Sequence, residues 1–444
     1  MKKILLLGGG LSSSTLIQYL INHSDQYDWF ITLCDMDTAV IASKTGGHPR
    51  TAVVPFSIEQ TDLLNDLVSA SDLVISMLPA RFHPVVAKTC LEFGKNMLTA
   101  SYISEEMKAM KEAIAEKNLT FLNEIGVDPG IDHMSAMRVV HRIQKEGGKL
   151  TSFKSSTGGL VAPESDNNPW NYKFTWNPRN VVVAGQGVSQ YIQGGRYKYI
   201  PYHKLFTRAE AMDVPGYGKF EVYPNRDSLK YREMYGLEDI STMFRGTIRR
   251  AGFCAAWNAF VQLGMTSDEF IIPHSNELTY RQFTNSFLPY DPIRPVEDKV
   301  CDYLHISADS DIMKRLKWLG IFDEIAIQKA NQTPAQILQT ILESKWQLDK
   351  SDIDMIVMQH QFEYTLNGKK KLIISSMVVK GKDQVHTAMS ITVGTPVAIA
   401  CKMMLTGQIT KTGVLAPVTP DIYEPVLDEL ENFGIHFTEE EFDL

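Results

Sequence analysis

The sequence predicts an α/β protein: a doubly wound parallel sheet, then a second α+β domain that carries a mostly helical insertion. Three observations lead there. Between Met1 and Asn123, short apolar runs with no polar face alternate with amphipathic helical stretches, the pattern of buried parallel strands and their crossover helices. After Gly147-Gly148 the strand-like runs become more polar, and from about Gly252 to Lys350 helical patterns dominate. The length, 444 residues, exceeds what one ordinary core serves. We therefore place the first domain at residues 1–130, joined by a C-terminal segment from about 395 to 444. The second domain takes 131–251 and 351–394, and the helical insertion 252–350.

The elements follow in order. Ile4–Leu7 is a buried strand, and Gly8-Gly9-Gly10-Leu11-Ser12-Ser13 turns it into a helix with Leu16, Ile17, Leu20 and Ile21 on one face. Strand, glycine turn and helix open a Rossmann-type dinucleotide fold: the glycines let the backbone approach a pyrophosphate, and free N–H groups at the helix start bind it. Ser13 stands at the third glycine position, so this motif alone leaves a glycine turn without a nucleotide open. Phe30–Cys34 is the second strand. Asp35 ends it, where a carboxylate accepts the hydroxyls of an adenosine ribose. Further strands are expected at Thr51–Phe56, from Asp72 to Pro79, at Asn96–Thr99 and at Thr120–Asn123. Ser57-Ile58, Met77, Ala100-Ser101 and Val127-Asp128-Pro129 lie at or after the ends of these strands. With Gly8, Gly10, Leu11, Ser12, Ser13 and Asp35 they form the expected cofactor contacts along one sheet edge. Ser104 caps a helix with Glu105 and Glu106 at its positive end and an apolar stripe of Met107, Met110 and Ile114.

Lys149–Gly158 reads as a more exposed strand. Residues 163–180 form a long polar and aromatic segment whose tryptophans and tyrosine argue against disorder. Phe244–Arg249 is strand-like, Gly264 stops a helix, and Thr333-Pro334 starts one. Asp354–Leu366 and Lys370–Lys380 form a hairpin about Asn367-Gly368. Thr395-Pro396 is expected to cap a last long helix ending at Gly407, and Val414–Phe437 to return to the first domain.

Composition narrows the function classes. Hydrophobic residues at 44% and charged residues at 22% describe a soluble globular protein. A formal charge of -8 weighs against nucleic acid and against an anionic membrane surface as partners. Cys34, Cys90, Cys254, Cys301 and Cys401 are odd in number and far apart, with no C-x-x-C pair. No disulfide framework and no metal site is expected, and a reducing cytoplasmic setting fits. The apolar run after Met1-Lys2-Lys3 is cut short by glycines, unlike a signal peptide. No run of about 18 apolar residues is apparent, so no membrane span is expected.

Several longer strings go beyond generic fold signatures: A-S-Y-I-S (100–104), N-E-I-G-V-D-P-G-I-D-H (123–133), G-G-L-V-A-P-E-S-D-N-N-P-W-N-Y-K-F-T-W-N-P-R (158–179), Y-P-N-R-D-S (223–228) and R-G-T-I-R (245–249). In order and approximate spacing the chain resembles the glutamate-forming saccharopine dehydrogenases over nearly its whole length. That resemblance implies oxidation of a secondary amine by a nicotinamide dinucleotide, followed by hydrolysis to L-glutamate and 2-aminoadipate 6-semialdehyde. It also implies a homodimer. By the same resemblance Ser101, Tyr102, Asp128, Arg226, Thr247, Ile248 and Arg249 bind saccharopine.

The residue types suit those roles, and each has a plainer alternative. Arg226 and Arg249 can clamp carboxylates bidentately or be structural. Asp128 can move a proton or bind the amino group, or form a turn before Pro129. Tyr102 can donate a hydrogen bond or fill core, and Lys173 can shuttle protons or be a loop lysine. Asp132 and His133 read as a helix start. Thr157 stands where family members commonly have Cys, so a thiol mechanism is unavailable there. The string C-D-M-D (34–37) has no Arg for a 2′-phosphate, which favours NAD over NADP and resembles the lysine-degrading branch. The alternatives are an NADP-linked reductase of lysine biosynthesis, a carboxypolyamine dehydrogenase, and a catalytically silent binding protein. The arginines lie over a hundred residues after Tyr102, so the site is expected to draw on both domains.

Overall fold

A computed structural model describes residues 1–444. Its strands, in chain order, are β1 (Lys2–Leu7), β2 (Trp29–Asp35), β3 (Thr51–Pro55), β4 (Leu73–Ser76), β5 (Asn96–Thr99), β6 (Thr120–Leu122), β7 (Lys149–Val161), β8 (Val188–Gln193), β9 (Arg196–Pro201), β10 (Glu210–Val214), β11 (Gly218–Pro224), β12 (Thr242–Arg250), β13 (Asp354–Leu366), β14 (Lys369–Lys380), β15 (Gly413–Leu415) and β16 (Thr438–Asp443). The chain divides into two compact units. One comprises 1–150, 364–371 and 375–444; the other comprises 151–363 and 372–374. The first unit thus extends to residue 150 where the sequence suggested 130. The reason is the helix Ile131–Lys145, which packs on the helix Pro420–Leu430 through Arg138–Asp428 and His141–Tyr423 hydrogen bonds.

In the first unit seven parallel strands run in the order β15-β6-β5-β4-β1-β2-β3. The chain leaves β1 toward β2 and β3, then crosses to β4 and moves outward the other way. The order therefore reverses between β1 and β4, and a crevice opens there at the carboxyl edge. Gly8 sits at that point with φ +98°, and a Cβ on it would lie 2.8 Å from the backbone of Met77 after β4. No other residue fits there.

The first helix is backed from the far end of the chain. The helix Ala388–Leu405 comes so close that a Cβ on Gly394 would lie 2.8 Å from Leu16 N, and Ser390 Oγ accepts from Thr15 N–H at 2.9 Å. The sequence reading placed the start of that helix at Thr395-Pro396. The helix instead begins after Thr387, whose hydroxyl accepts from Ser390 N–H, and it runs through Pro396. Burial of Ala388, Ile391 and Val397 outweighs the local preference of proline for a first turn. At 18 residues and a mean hydropathy of 1.5 the helix also meets the length and composition of a membrane span, contrary to expectation. Its interleaved Thr392, Gly394, Thr395 and Pro396 disguise the run, and 72% of it is buried inside the protein, as in a core helix. The helix after Ser104 is likewise not continuous: it breaks at Met110 into Glu105–Ala109 and Lys111–Glu116.

In the second unit the sheet order is β10-β11-β12-β7-β13, with the β8–β9 hairpin joined to β12. β7 was expected to be exposed; it lies between β12 and β13 and is mostly buried. Along the chain no strand intervenes between β12 and β13. Helices Phe253–Leu263, Tyr280–Asn285, Val296–Leu304, Asp311–Leu319 and Pro334–Glu343 fill that interval, two of them started by capping boxes at Thr279 and Thr333. The aromatic segment near residue 170 is core: Trp170 and Tyr172 are fully buried and meet Phe253 and Trp346 edge-on or tilted.

Candidate active site

The glycine turn is closed by side chains from β2 and the following helix. Gly9 N–H donates to Asp35 Oδ2 at 2.7 Å, and Asp37 N–H to Asp35 Oδ1 at 3.1 Å, so the Asp35 carboxylate is fixed beside the turn. Gly10 and Leu11 are exposed, and the helix start carries neither a side-chain cap nor an acidic residue. Ser13 N–H is taken by Gly10 O and Thr15 N–H by Ser390 Oγ, which leaves the Leu11 and Ser12 N–H groups for an anion, as a pyrophosphate requires. The sequence reading missed Lys44. Its ammonium donates to Gly9 O at 2.7 Å and Gly10 O at 2.6 Å, and loss of solvent lowers its pKa against the opposing pull of Asp35. Nothing local marks Lys44, nine positions after Asp35 and on the next helix.

The residues expected to contact a cofactor from the later strands follow the carboxyl ends of β3, β4, β5 and β6. Met77 N–H donates to Leu7 O at 2.7 Å. Ser57 N–H donates to Gln60 Oε1, and Ile58 packs on the first unit's core. Ala100 and Ser101 are half-buried, while Val127 and Pro129 are buried on either side of a half-buried Asp128. The Asp128-Pro129 bond is cis. Tyr102, 40% exposed, donates to Asp128 Oδ1 at 3.0 Å, which joins the two residues expected to handle protons. Asp132 accepts from Gly130 N–H at 2.6 Å, and His133 is buried against Glu124, 2.7 Å away. Both hold the loop that carries Asp128, as expected of a helix start. His83, absent from the sequence reading, meets Ser76, Thr99 and Ser101.

The second unit holds the basic residues. Strand alternation puts Arg245, Thr247 and Arg249 on one face of β12 and turns the buried Ile248 to the other. Ile248 therefore has only its backbone to offer on the arginine face. Register places Thr157 of β7 and Tyr223 of β11 on either side of Thr247. Arg249 is 3% exposed, with its guanidinium 5.1 Å from the Tyr172 ring, 5.4 Å from Phe253 and 5.7 Å from Tyr223. One of its nitrogens donates to Ile248 O; Nε has no partner, and no carboxylate pairs with the group. Thr157 Oγ1 on the same face is also buried without a partner. Arg226 is exposed after β11, and Arg245 lies over Tyr231. Lys173 is not free to shuttle protons. It is buried in an ion pair with Asp352 at 2.5 Å and with Asp349 at 3.3 Å.

Residues 4–122 match the family model described as saccharopine dehydrogenase NADP binding domain, and residues 126–435 the saccharopine dehydrogenase C-terminal domain. The chain belongs to the saccharopine dehydrogenase family. Across its whole length it is 32% identical to a saccharopine dehydrogenase [NADP(+), L-glutamate-forming] of Schizosaccharomyces pombe, with 100% of both chains covered. It is 35% identical to the mitochondrial alpha-aminoadipic semialdehyde synthase of Mus musculus over 98% of this chain, which spans 47% of that protein. Among solved structures, the apo saccharopine dehydrogenase (L-Glu forming) of Saccharomyces cerevisiae superposes with a TM-score of 0.89 at 30% identity, covering 100% of each chain. The saccharopine dehydrogenase family assignment makes the chain an NAD(P)-dependent oxidoreductase with a Rossmann-type first unit. The expectation of NAD in particular is not carried by these relatives, since the fungal ones are named for NADP(+).

Proposed function

We propose that the chain oxidises the secondary amine of saccharopine with NAD, and that water divides the resulting imine into L-glutamate and 2-aminoadipate 6-semialdehyde, in lysine breakdown. The observation that carries this reading is Arg249. A guanidinium buried among three aromatic rings with no anion is an incomplete site, because a charge out of water needs a partner. A substrate with three carboxylates supplies one. Arg226 is the second clamp, and Thr157 and Thr247 offer hydroxyls beside the first.

Gly8, the uncapped helix start and Asp35 fit a dinucleotide. When bound, its nicotinamide accepts the hydride from the lysine ε-carbon of saccharopine. The protein supplies the proton steps. Asp128 takes the proton from the substrate's secondary ammonium, which frees the nitrogen lone pair to expel the hydride. It passes that proton to solvent, takes one from the water that adds to the iminium carbon and returns it to nitrogen; as the carbon–nitrogen bond breaks it takes the carbinol hydroxyl proton and delivers it to the amine of glutamate. Tyr102 holds Asp128 by its hydrogen bond throughout. A thiol at position 157 is not needed for this sequence.

Asp35 favours NAD, since a fixed carboxylate accepts ribose hydroxyls and repels a 2′-phosphate. Lys44 favours the second reading, NADP, by placing an ammonium at the same turn. Two further expectations remain part of the proposal. The five unpaired cysteines suit a reducing cytoplasm. The free edge of β9, with Tyr197 and Tyr199 exposed, suits a homodimer, which light scattering would test. The deciding experiment follows nucleotide reduction with saccharopine and either NAD or NADP. Reduction of NAD at higher kcat/KM is expected. Preference for NADP overturns the cofactor, and no reduction of either overturns the substrate.

A further inference from the structure

Four polar side chains meet where the fourth and fifth strands end. Ser76 and Thr99 are register partners and the last residues of β4 and β5, and His83 opens the helix that leads on from β4. His83 Nδ1 lies 2.8 Å from Ser76 Oγ, and Nε2 lies 2.7 Å from Ser101 Oγ and 3.3 Å from Thr99 Oγ1. Ser101 N–H donates to Thr99 Oγ1 at 3.2 Å, which fixes the backbone that carries the Ser101 hydroxyl. The imidazole is 4% exposed. Burial lowers its pKa to about 4, so it is neutral and carries a single N–H.

The direction of each bond follows from what each hydroxyl can do. Ser76 has no exposure, and its hydroxyl has His83 as its partner. Leaving a buried O–H hydrogen unmatched is costly. Thr99, 2% exposed, competes through its hydroxyl for Nε2 at 3.3 Å, but the Ser76 contact is the shorter and better bond, so Ser76 donates to Nδ1. The ring proton then sits on Nε2 and is donated to Ser101 Oγ. One lone pair of Ser101 is thereby occupied, and its own hydrogen is left for a further acceptor. Ser101 is half-buried at the carboxyl edge, one residue before Tyr102, which binds Asp128.

We propose that His83 is a positioning residue for the reaction, holding the Ser101 hydroxyl through Nε2–H as a hydrogen-bond donor to a carbonyl-type oxygen of the bound reactants. This deepens the reading of the chain as a saccharopine-oxidising enzyme and rests on it. Two reactants carry such an oxygen: the nicotinamide as a carboxamide, the amino acid as a carboxylate. The kinetic arms tell them apart.

The test combines Ser101→Ala, His83→Leu, the double variant and His83→Gln, whose amide N–H stands in for Nε2–H. Ser101→Ala and His83→Leu should each raise KM about tenfold for the same reactant, the loss of one hydrogen bond. The double variant should be no worse than Ser101→Ala, because His83 acts through Ser101. His83→Gln should recover most of the loss. Nitrogen–proton NMR of histidine-labelled wild-type protein should show the Nε2–H tautomer for the resonance that His83→Gln removes. Additive losses, losses on different reactants, unchanged KM or an Nδ1–H tautomer overturn the proposal. If His83→Leu fails to fold, the wild-type tautomer and Ser101→Ala decide. If the wild type does not oxidise saccharopine, the functional reading fails, while the tautomer and dinucleotide affinity by fluorescence still test His83.

Discussion

Replacing Arg249 by Met removes a guanidinium from a site where three rings face it and no carboxylate does. The cost appears in two separate measurements. In the bound complex a substrate carboxylate loses its buried partner, and truncating one side of such a pair costs about 2–5 kcal/mol. At 1.4 kcal/mol per decade, kcat/KM for saccharopine should fall roughly 30- to 4,000-fold. In the free protein the balance differs. Three cation–π contacts contribute about 0.5–2 kcal/mol each, and removing an unpaired buried ion recovers a desolvation cost of several kcal/mol. These nearly cancel, and Met fills much of the same space, so Tm should move by only a few degrees. The assay is nucleotide reduction at varied saccharopine, with thermal unfolding of the same samples. Unchanged kcat/KM would refute the clamp, and a collapse in Tm with kcat/KM retained in the folded fraction would make Arg249 a structural residue.

Other predictions follow from the same residues. Lys173→Met leaves Asp352 buried without its cation and should cost about 3–5 kcal/mol of stability; kcat of the folded fraction should be retained, and its loss without loss of Tm would restore the proton-shuttle role. Asp35→Ser should raise KM for NAD about tenfold and narrow the preference over NADP, and adding Lys44→Met should then weaken NADP selectively; a cofactor ratio unmoved by either variant refutes both assignments. Stability should fall as pH drops from about 6.5 to 4, because unfolded His83 takes a proton at its ordinary value while the buried ring resists down to about 4. The full effect is about 3 kcal/mol below that window. His83→Gln should show a shallower decline in Tm across this range, and an identical slope argues against a buried neutral ring.

Strands β1, β4, β5 and β6 were legible because each is a short apolar run with punctuation, and burial on both faces leaves that trace. Gly8 and Asp35 were legible for a related reason: the turn and the strand end that follows are local features. Lys44 and His83 were not. Their meaning lies in contacts with Gly9, Gly10, Ser76 and Ser101, and no periodicity records such meetings. Lys173 looked exposed because its loop is polar, but its partners lie 176 and 179 residues onward. Pro396 misled because the rule for proline is local and the burial that overrides it is tertiary. Ile248 shows the reverse case: alternation along β12 already separates it from Thr247 and Arg249, and resemblance grouped the three together.

The helix Ala388–Leu405 and strand β15 also set an order of assembly. The turn that opens the dinucleotide crevice is translated well before Ser390 and Gly394, which back its helix, and before β15, which extends its sheet beside β6. The amino-terminal strands therefore emerge from the ribosome without their finishing layer and wait while residues 151–363 are made. A nascent chain stalled before Ala388 should leave the first helix exposed to chaperones, and emergence of residues 388–415 should be the event that completes the nucleotide-binding unit.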